Sequence, residues 1–389
     1  MTSRRVLLAG GGHSHVEVLR YFALHRDNAA AITLVSPLPM MPYSGMMPGV
    51  VAGHYTSDES HIALDALSAW TGARFVCDRV AGIDLGARIA RLASGDRVAF
   101  DIVSLDIGST PDVTVAGAAD HAICVKPFER FFDAWSIMQN DAAEAAVRTI
   151  GVVGGGAGGV EMLLAMQHRL QRTLGAAAPS FSLITDQPQI LQQHSAWVRS
   201  RLRRVLEKRG VGLHLGNGAT AVEPGALIVS GGRRMMFDRI VWATGAAAQP
   251  WVAASGLACD HSGFVIVDQH LRSSSHPFVF ATGDCATQRG HPRPKAGVFA
   301  VKQGPPLAHN LARAVKGAPL VTYTPQRRAL ALITTGDRCA IASWGPVALA
   351  GGWVWKWKDH IDRRFVARYR SPAMAPAAAP AAATEKSTG

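Results

Sequence analysis

The residues of this chain best suited to chemistry are glycines beside apolar strands and acids at strand ends. Gly154-Gly155-Gly156-Ala157-Gly158-Gly159 has the spacing G-x-G-x-x-G, after the apolar run Ile150 to Val153 and before a helix-forming run, Val160 to Leu170. Glycine at 154 permits a tight turn, glycine at 156 lets the backbone approach a pyrophosphate, and glycine at 159 lets helix and strand pack closely. The helix start offers free N–H groups and a positive dipole end to phosphate. Asp186 ends the next apolar run, about 27 residues after Gly159 and beyond the usual spacing of about 20. Its carboxylate suits a ribose 2′-hydroxyl and repels a 2′-phosphate, so the loop predicts NADH in preference to NADPH. A glycine turn without a ligand is the plain alternative, and the strand before and helix after weigh against it.

An earlier loop, Gly10-Gly11-Gly12-His13-Ser14-His15, follows Val6 to Ala9 and keeps the first two glycines of the pattern. His15 stands where the third belongs, and the next strand ends in Ser36 rather than an acid. No carboxylate or thiol nearby completes a ligand set with His13 and His15, so no metal is expected. One imidazole is expected to pack and the other to face phosphate or solvent. Phe278 to Ala281 leads into Thr282-Gly283-Asp284, which sets Asp284 at the carboxyl edge of a sheet. There it can accept hydrogen bonds from ribityl or ribose hydroxyls, or simply cap a turn. Trp242-Ala243-Thr244-Gly245 is a similar strand end without an acid.

Two strand–helix–strand units must position these groups. One is Val6–Ala9, Val16–Leu24 and Ala31–Val35; the other is Ile150–Val153, Val160–Leu170 and Phe181–Thr185. Each carries a glutamate near its helix start, Glu17 and Glu161, and together they form a weak repeat. Residues 40–60 read as a long loop, Pro305–Val315 as a helix, and 320–352 as short strands with turns. Residues 353–370 read as an amphipathic helix with the stripe Val354, Trp357, Ile361 and Phe365. Lys356, Lys358, Arg363, Arg364, Arg368 and Arg370 surround that stripe, which suits either a membrane interface or packing on its own domain or a dimer partner. The Ala- and Pro-rich stretch 371–389 is predicted to be a disordered tail.

Two glycine loops, an A-T-G strand end and a later A-T-G-D, in this order, resemble the two-dinucleotide-binding-domain flavoproteins. These include disulfide reductases, ferredoxin reductases, type II NADH dehydrogenases and sulfide:quinone reductases. A narrower likeness lies in Gly10 to Leu19, Pro42-Tyr43-Ser44-Gly45-Met46, Asp106-Ile107-Gly108-Ser109 and Pro294 to Val298. These resemble the branch whose oxidoreductase domain is fused, in some proteins, to selenophosphate synthetase. The resemblance implies an α/β fold of two interleaved Rossmann-like domains, glutathione reductase-like, with a small C-terminal α+β segment. The implied divisions are 1–115 and 247–318 for FAD, 116–246 for NAD(P)H, and 319–370 for the C-terminal segment. Gly10, Gly12, His13, Ser14, His15, Ser36, Pro42, Gly283, Asp284 and Val298 would then touch FAD. Gly154, Gly156, Gly159, Glu161, Asp186, Thr244 and Gly245 would touch NADH. Tyr43, Lys295 and Lys302 are the candidates for lining the flavin pocket. Ala300-Val301-Lys302-Gln303-Gly304 resembles the glutamine-rich helix start of type II NADH dehydrogenases, with Lys302 in one glutamine position.

Composition agrees with such an enzyme. In 389 residues there are 39 glycines and 48% apolar residues, enough for two cores. The net charge of +12 favours an anionic partner, and the basic residues belong to no nucleic-acid module. The five cysteines are scattered, with no C-x-x-C pair. That argues against a dithiol-disulfide reductase and suits a reducing cytosol. No leader or membrane-spanning run is visible, so a cytoplasmic location is expected, peripheral on the inner face of the cell membrane if 353–370 engages lipid. The expected activity is hydride transfer from NADH to FAD and then to a second acceptor, a quinone. A sulfur- or selenium-related oxidoreductase and a non-enzymatic flavin sensor are the alternatives.

Overall fold

In a computed structural model of the chain, which describes residues 3–25 and 29–370, two five-stranded sheets form the centres of two α/β domains. The first sheet runs Val279–Ala281, Ile102–Leu105, Arg4–Ala9, Ala30–Ser36, Arg74–Cys77. The second runs Ile123–Cys124, Arg239–Trp242, Thr149–Val153, Ser180–Ile184, Gly212–His214. Every pairing in both is parallel. Strands covered on both faces must be apolar throughout, and Val6 to Ala9 and Ile102 to Leu105 are buried at every position. The one polar residue among them, Ser104, meets His15 Nε2 at 2.8 Å.

The first sheet takes its edge strand, Val279–Ala281, from beyond the whole second sheet, so the two domains interleave. Each sheet grows outward from one central strand and is completed on that strand's other side. The switch points fall between Arg4–Ala9 and Ile102–Leu105, and between Thr149–Val153 and Arg239–Trp242. At such points the connecting loops diverge and leave a crevice at the carboxyl ends of the strands. Both glycine loops lie there.

Several elements differ from the sequence reading. The helix expected to begin at Pro305 begins at Gly297 and carries Pro305 and Pro306 inside it. Proline lacks the N–H that continues a helix. Here the buried face Ala300, Gly304, Leu307, Ala308 and Leu311 packs on the helix His13–His25 and outweighs the lost bonds. Two three-stranded antiparallel sheets, within 80–99 and 219–236, and the helix Phe128–Ala143 carry no strong sequence signal.

The C-terminal segment is an antiparallel sheet, Ala331–Thr334, Ala340–Trp344 and Val347–Gly351, followed by the helix Gly352–Ala367. The expected single apolar stripe on that helix is split. Val354 is buried and Phe365 is half-buried, stacked on Tyr43 at 4.4 Å. Trp357 and Ile361 stay exposed at 39% and 38%, beside Trp353 at 54%. The cause is that Lys358 and Asp362, an ion pair, take two inward positions and push the exposed aromatics to the flank. This segment joins both cores. Ala340, Ala342, Val354 and Trp355 belong to the first, and Ile333 and Ile341 to the second. The tail expected over 371–389 lies outside the described residues.

Candidate dinucleotide sites

The second loop is built as its glycines require. Gly154 has φ +131°, and a Cβ there would lie 2.4 Å from Ala243 O. A Cβ on Gly159 would lie 2.1 Å from Gly154 O, so only glycine lets the helix Ala157–Leu174 start this close to its strand. Gly156 caps that helix without side-chain help, and nothing lies within 4 Å of the place its Cβ would take. The first amides of the helix therefore open onto free space. Thr244 and Gly245 bound the crevice opposite, held by Thr244 Oγ1 to Asp112 O at 3.2 Å and Asp112 N–H to Gly245 O at 3.1 Å. Asp186 is exposed beyond the strand Ser180–Ile184, and Gln187 Nε2 donates to it at 2.9 Å.

Glu161 has a different setting. It accepts from Thr334 N–H at 2.8 Å and Thr334 Oγ1 at 3.0 Å, which fastens the second helix to the C-terminal sheet. Desolvation pushes its carboxyl up, with Lys358 opposing.

At the first switch point Gly10 has φ +91°, and its N–H donates to Val35 O at 2.8 Å. Ser36 Oγ lies 3.0 Å from the place a Cβ on Gly11 would take. His15 is fully buried, with Nδ1 2.6 Å from Gly10 O and Nε2 2.8 Å from Ser104 Oγ. Ser14 Oγ donates to Ala300 O at 2.7 Å, so this loop also carries the helix Gly297–Val315. His13 faces Tyr43 at 5.5 Å and lies 3.3 Å from Ser44 Oγ. Burial lowers both His13 and His15 to about 4, so both rings are neutral at pH 7.

The segment 40–60, expected as a long loop, instead holds the short strand Met40–Pro42 and the short helices Ser44–Met46, Met47–Val51 and Ser57–Ser60, and it folds back over this crevice. Pro42 pairs with His61, and a Cβ on Gly297 would lie 2.9 Å from Ser44 Oγ. Val298 sits in the first turn of the helix Gly297–Val315, which no side chain caps. Asp284 Oδ2 accepts from Lys126 Nζ at 3.0 Å and Ser109 Oγ at 3.4 Å. Gly283 N–H donates to Gln303 Oε1 at 2.7 Å. A narrow cleft of about 30 Å³ opens here, lined by Asp284, Lys295, Phe299 and Gln303 among others. Lys295 Nζ bonds Ala286 O at 2.7 Å and lies 3.8 Å from the centre of the Phe264 ring, and burial lowers its pKa.

Of the three pocket candidates, Tyr43 and Lys295 border this region and Lys302 does not. Lys302 is exposed on the outer side of its helix, and its neighbour Gln303 reaches the Gly283 turn. Sequence reasoning quoted Asp106 and Gln303 within segments of the resemblance but gave neither a role, and it passed over Lys126. The helical phase of Gly297–Val315, once known, would have pointed to Gln303. All five cysteines are free, and burial pushes Cys285 up to about 12. Among the described residues no cluster of His, Cys, Asp or Glu could hold a metal ion, and no helix is long and apolar enough to cross a membrane.

Two parallel sheets, each with a glycine loop at its switch point and linked as described, define a protein with two dinucleotide folds in one chain. The chain belongs to the pyridine nucleotide-disulphide oxidoreductase family, which it matches over residues 4–310. It is 26% identical over 245 residues to an NADH dehydrogenase-like protein of Mycobacterium tuberculosis, a match covering 61% of each chain. It is 25% identical over 326 residues to the demethylphylloquinone reductase NdbB of Synechocystis, covering 79% of this chain and 76% of that one. Among solved structures it is similar to the sulfide:quinone oxidoreductase of Aquifex aeolicus, with TM-score 0.79, 16% identity, and 95% and 92% of the two chains covered. It is also similar to NDH2 of Plasmodium falciparum in complex with NADH, with TM-score 0.77, 12% identity, and 94% and 97% covered.

Proposed function

We propose that this chain is an FAD-dependent oxidoreductase that accepts hydride from NADH and passes electrons to a quinone. The observation that carries this reading is the pair of glycine loops at two switch points of one chain, the first beside Asp284 and an uncapped helix start, the second followed by Asp186. Gly10, Gly12, His13, Ser14, Ser36, Pro42, Gly283, Asp284 and Val298 would hold FAD, with His15 shaping the loop from beneath. Gly154, Gly156, Gly159, Asp186, Thr244 and Gly245 would hold NADH, with Glu161 fixing the helix behind them. The bound flavin supplies the hydride acceptor and the electron store. The protein supplies position. The uncapped helix start at Gly297 and Val298 offers N–H groups where negative charge would gather. Asp284, anchored by Lys126, offers an acceptor for ribityl hydroxyls.

Quinone is favoured because relatives and structural neighbours across the family bear quinone in their names. The C-terminal segment gives independent support. Trp344, Leu349, Trp353, Trp357 and Ile361 are exposed on adjoining elements, near the exposed cations Arg328, Lys356 and Arg364. Exposed aromatics beside cations fit an anionic membrane surface, from which a lipid-soluble acceptor would arrive. The nearer likeness to the selenophosphate synthetase-fused branch rests on the segments quoted above and adds no selenium chemistry.

The test is anaerobic reduction of the purified yellow protein by NADH, followed by reoxidation with a panel of acceptors. Bleaching by NADH and fast reoxidation by quinones support the reading. Reoxidation by sulfur compounds alone points to the sulfur alternative, and bleaching without turnover on any acceptor points to a sensor.

A further inference from the structure

Asp106 sits where the glycine-loop pattern asks for no acid. It follows the strand Ile102–Leu105 at the first switch point and is 3% exposed. Its Oδ2 accepts from the N–H of Ser14 at 2.7 Å and of His15 at 3.1 Å. These are first-turn amides of the helix His13–His25, the groups a dinucleotide phosphate ordinarily faces. A Cβ on Gly12 would fall 2.4 Å from Oδ2, and one on Gly283 would fall 2.6 Å from Oδ1. The carboxyl thus lies wedged between the two backbone segments assigned to FAD. His15 explains the arrangement. Where the second loop has Gly159 pressed on Gly154, the first has an imidazole between helix and strand, and Asp106 satisfies the two amides beside it.

We propose that FAD binding at this loop is coupled to the uptake of one proton by Asp106. The inference rests on the flavin reading above. The pyrophosphate of FAD brings negative charge to a helix start that already holds a carboxylate. A buried carboxyl beside added negative charge is favoured in its neutral form, and when protonated it still has an oxygen to accept from Ser14 and His15. Burial, opposed by the Ser14 and His15 amides and aided by Asp284, raises Asp106 to about 7. The groups facing it are the Ser14 and His15 amides, Asp284 and Cys285, and His13, Lys126 and Lys295 gather around Asp284. His13 and His15, lowered to about 4, and Cys285, raised to about 12, keep their protonation states from about pH 6 to 9. Lys126 is held by Asp284, and Lys295 by Ala286 O and Thr287 Oγ1. The sign follows by linkage. The complex binds one more proton than the free protein, so affinity falls as pH rises past the unbound Asp106.

The test is the Kd of FAD from about pH 6 to 9, read as flavin retained after equilibration of the holoprotein at each pH. The parent Kd should rise by close to tenfold per pH unit above about 7. Asp106→Asn, which keeps the acceptor for both amides, should give a flat profile and tighter binding than the parent at the alkaline end. Calorimetry of FAD binding to the parent, in buffers of different ionisation enthalpy, gives proton uptake without any variant, and uptake approaching one near about pH 8 is expected. A flat parent profile, zero uptake, or the same slope in Asp106→Asn overturns the inference while leaving flavin binding intact. Failure to retain FAD at any pH overturns the flavin reading itself, and this inference with it.

Discussion

Lys358→Met isolates the contact that docks the C-terminal helix. Lys358 Nζ bonds Asp362 and the carbonyl of Gly45, and the two charged residues are 7% and 4% exposed. The Tyr43 phenol also hydrogen-bonds Asp362. Removing one partner of a buried pair leaves the other charge uncompensated and costs about 3–5 kcal/mol. The remaining bond from Tyr43 sets the expectation at the lower end, about 3 kcal/mol, a sizeable part of a total stability of about 5–15 kcal/mol. With a urea m-value of about 3 kcal/mol/M, the unfolding midpoint should fall by about 1 M. Burial already raises Asp362, with Lys358 as the main opposing influence, so losing Lys358 raises it further. An acid whose folded pKa lies above its unfolded value of about 3.9 penalises the fold above the folded pKa and not below the unfolded one. The deficit should therefore shrink as the pH falls toward about 4. Lys358→Met with Asp362→Leu should recover most of the loss. A single variant within about 0.5 kcal/mol of the parent, or a double variant carrying the sum of both single losses, refutes the reasoning.

Asp284→Ala should weaken FAD retention at least tenfold, measured by flavin absorbance after gel filtration, while the second domain still binds NADH; unchanged retention removes Asp284 from the site. Asp186→Ala should narrow the preference for NADH over NADPH in flavin reduction at equal cofactor concentration, and a parent that is reduced faster by NADPH overturns that assignment. Replacing Trp353, Trp357 and Ile361 with serine should abolish co-sedimentation with anionic vesicles at low salt and leave the urea midpoint nearly unchanged, because all three side chains are exposed. Vesicle binding by the parent should weaken in salt. A parent that ignores such vesicles ends the membrane proposal.

The sequence showed most plainly those parts where backbone geometry dictates residue type. Gly154 and Gly159 are irreplaceable for reasons of distance, and strands covered on both faces must be apolar, so the second α/β unit and its loop were legible. The first loop was half legible. His15 broke the pattern, and its compensation by Ser104 and Asp106 comes from residues about 90 positions away, which no local pattern reveals. The helix Gly297–Val315 was misjudged because Pro305 and Pro306 act as breakers only where packing does not outweigh them. On the C-terminal helix, hydrophobicity alone placed Val354, Trp357, Ile361 and Phe365 together. The inward turn of Lys358 and Asp362 depends on partners in the loop at Tyr43 and Gly45, far off in sequence.

The C-terminal segment bonds to both halves of the molecule. Glu161 holds its sheet to the second domain through Thr334, Arg209 reaches Thr335 O at 2.6 Å, and His194 reaches Ser343 at 2.9 Å. Its helix end is tied to the first domain, where Arg368 and the Tyr369 hydroxyl both donate to Glu17 at 2.8 Å. Two domains joined only by crossing linkers would melt as separate calorimetric units. A shared buckle of this kind makes loosening either half expose apolar surface of the other, so the two domains should absorb heat in one transition rather than two.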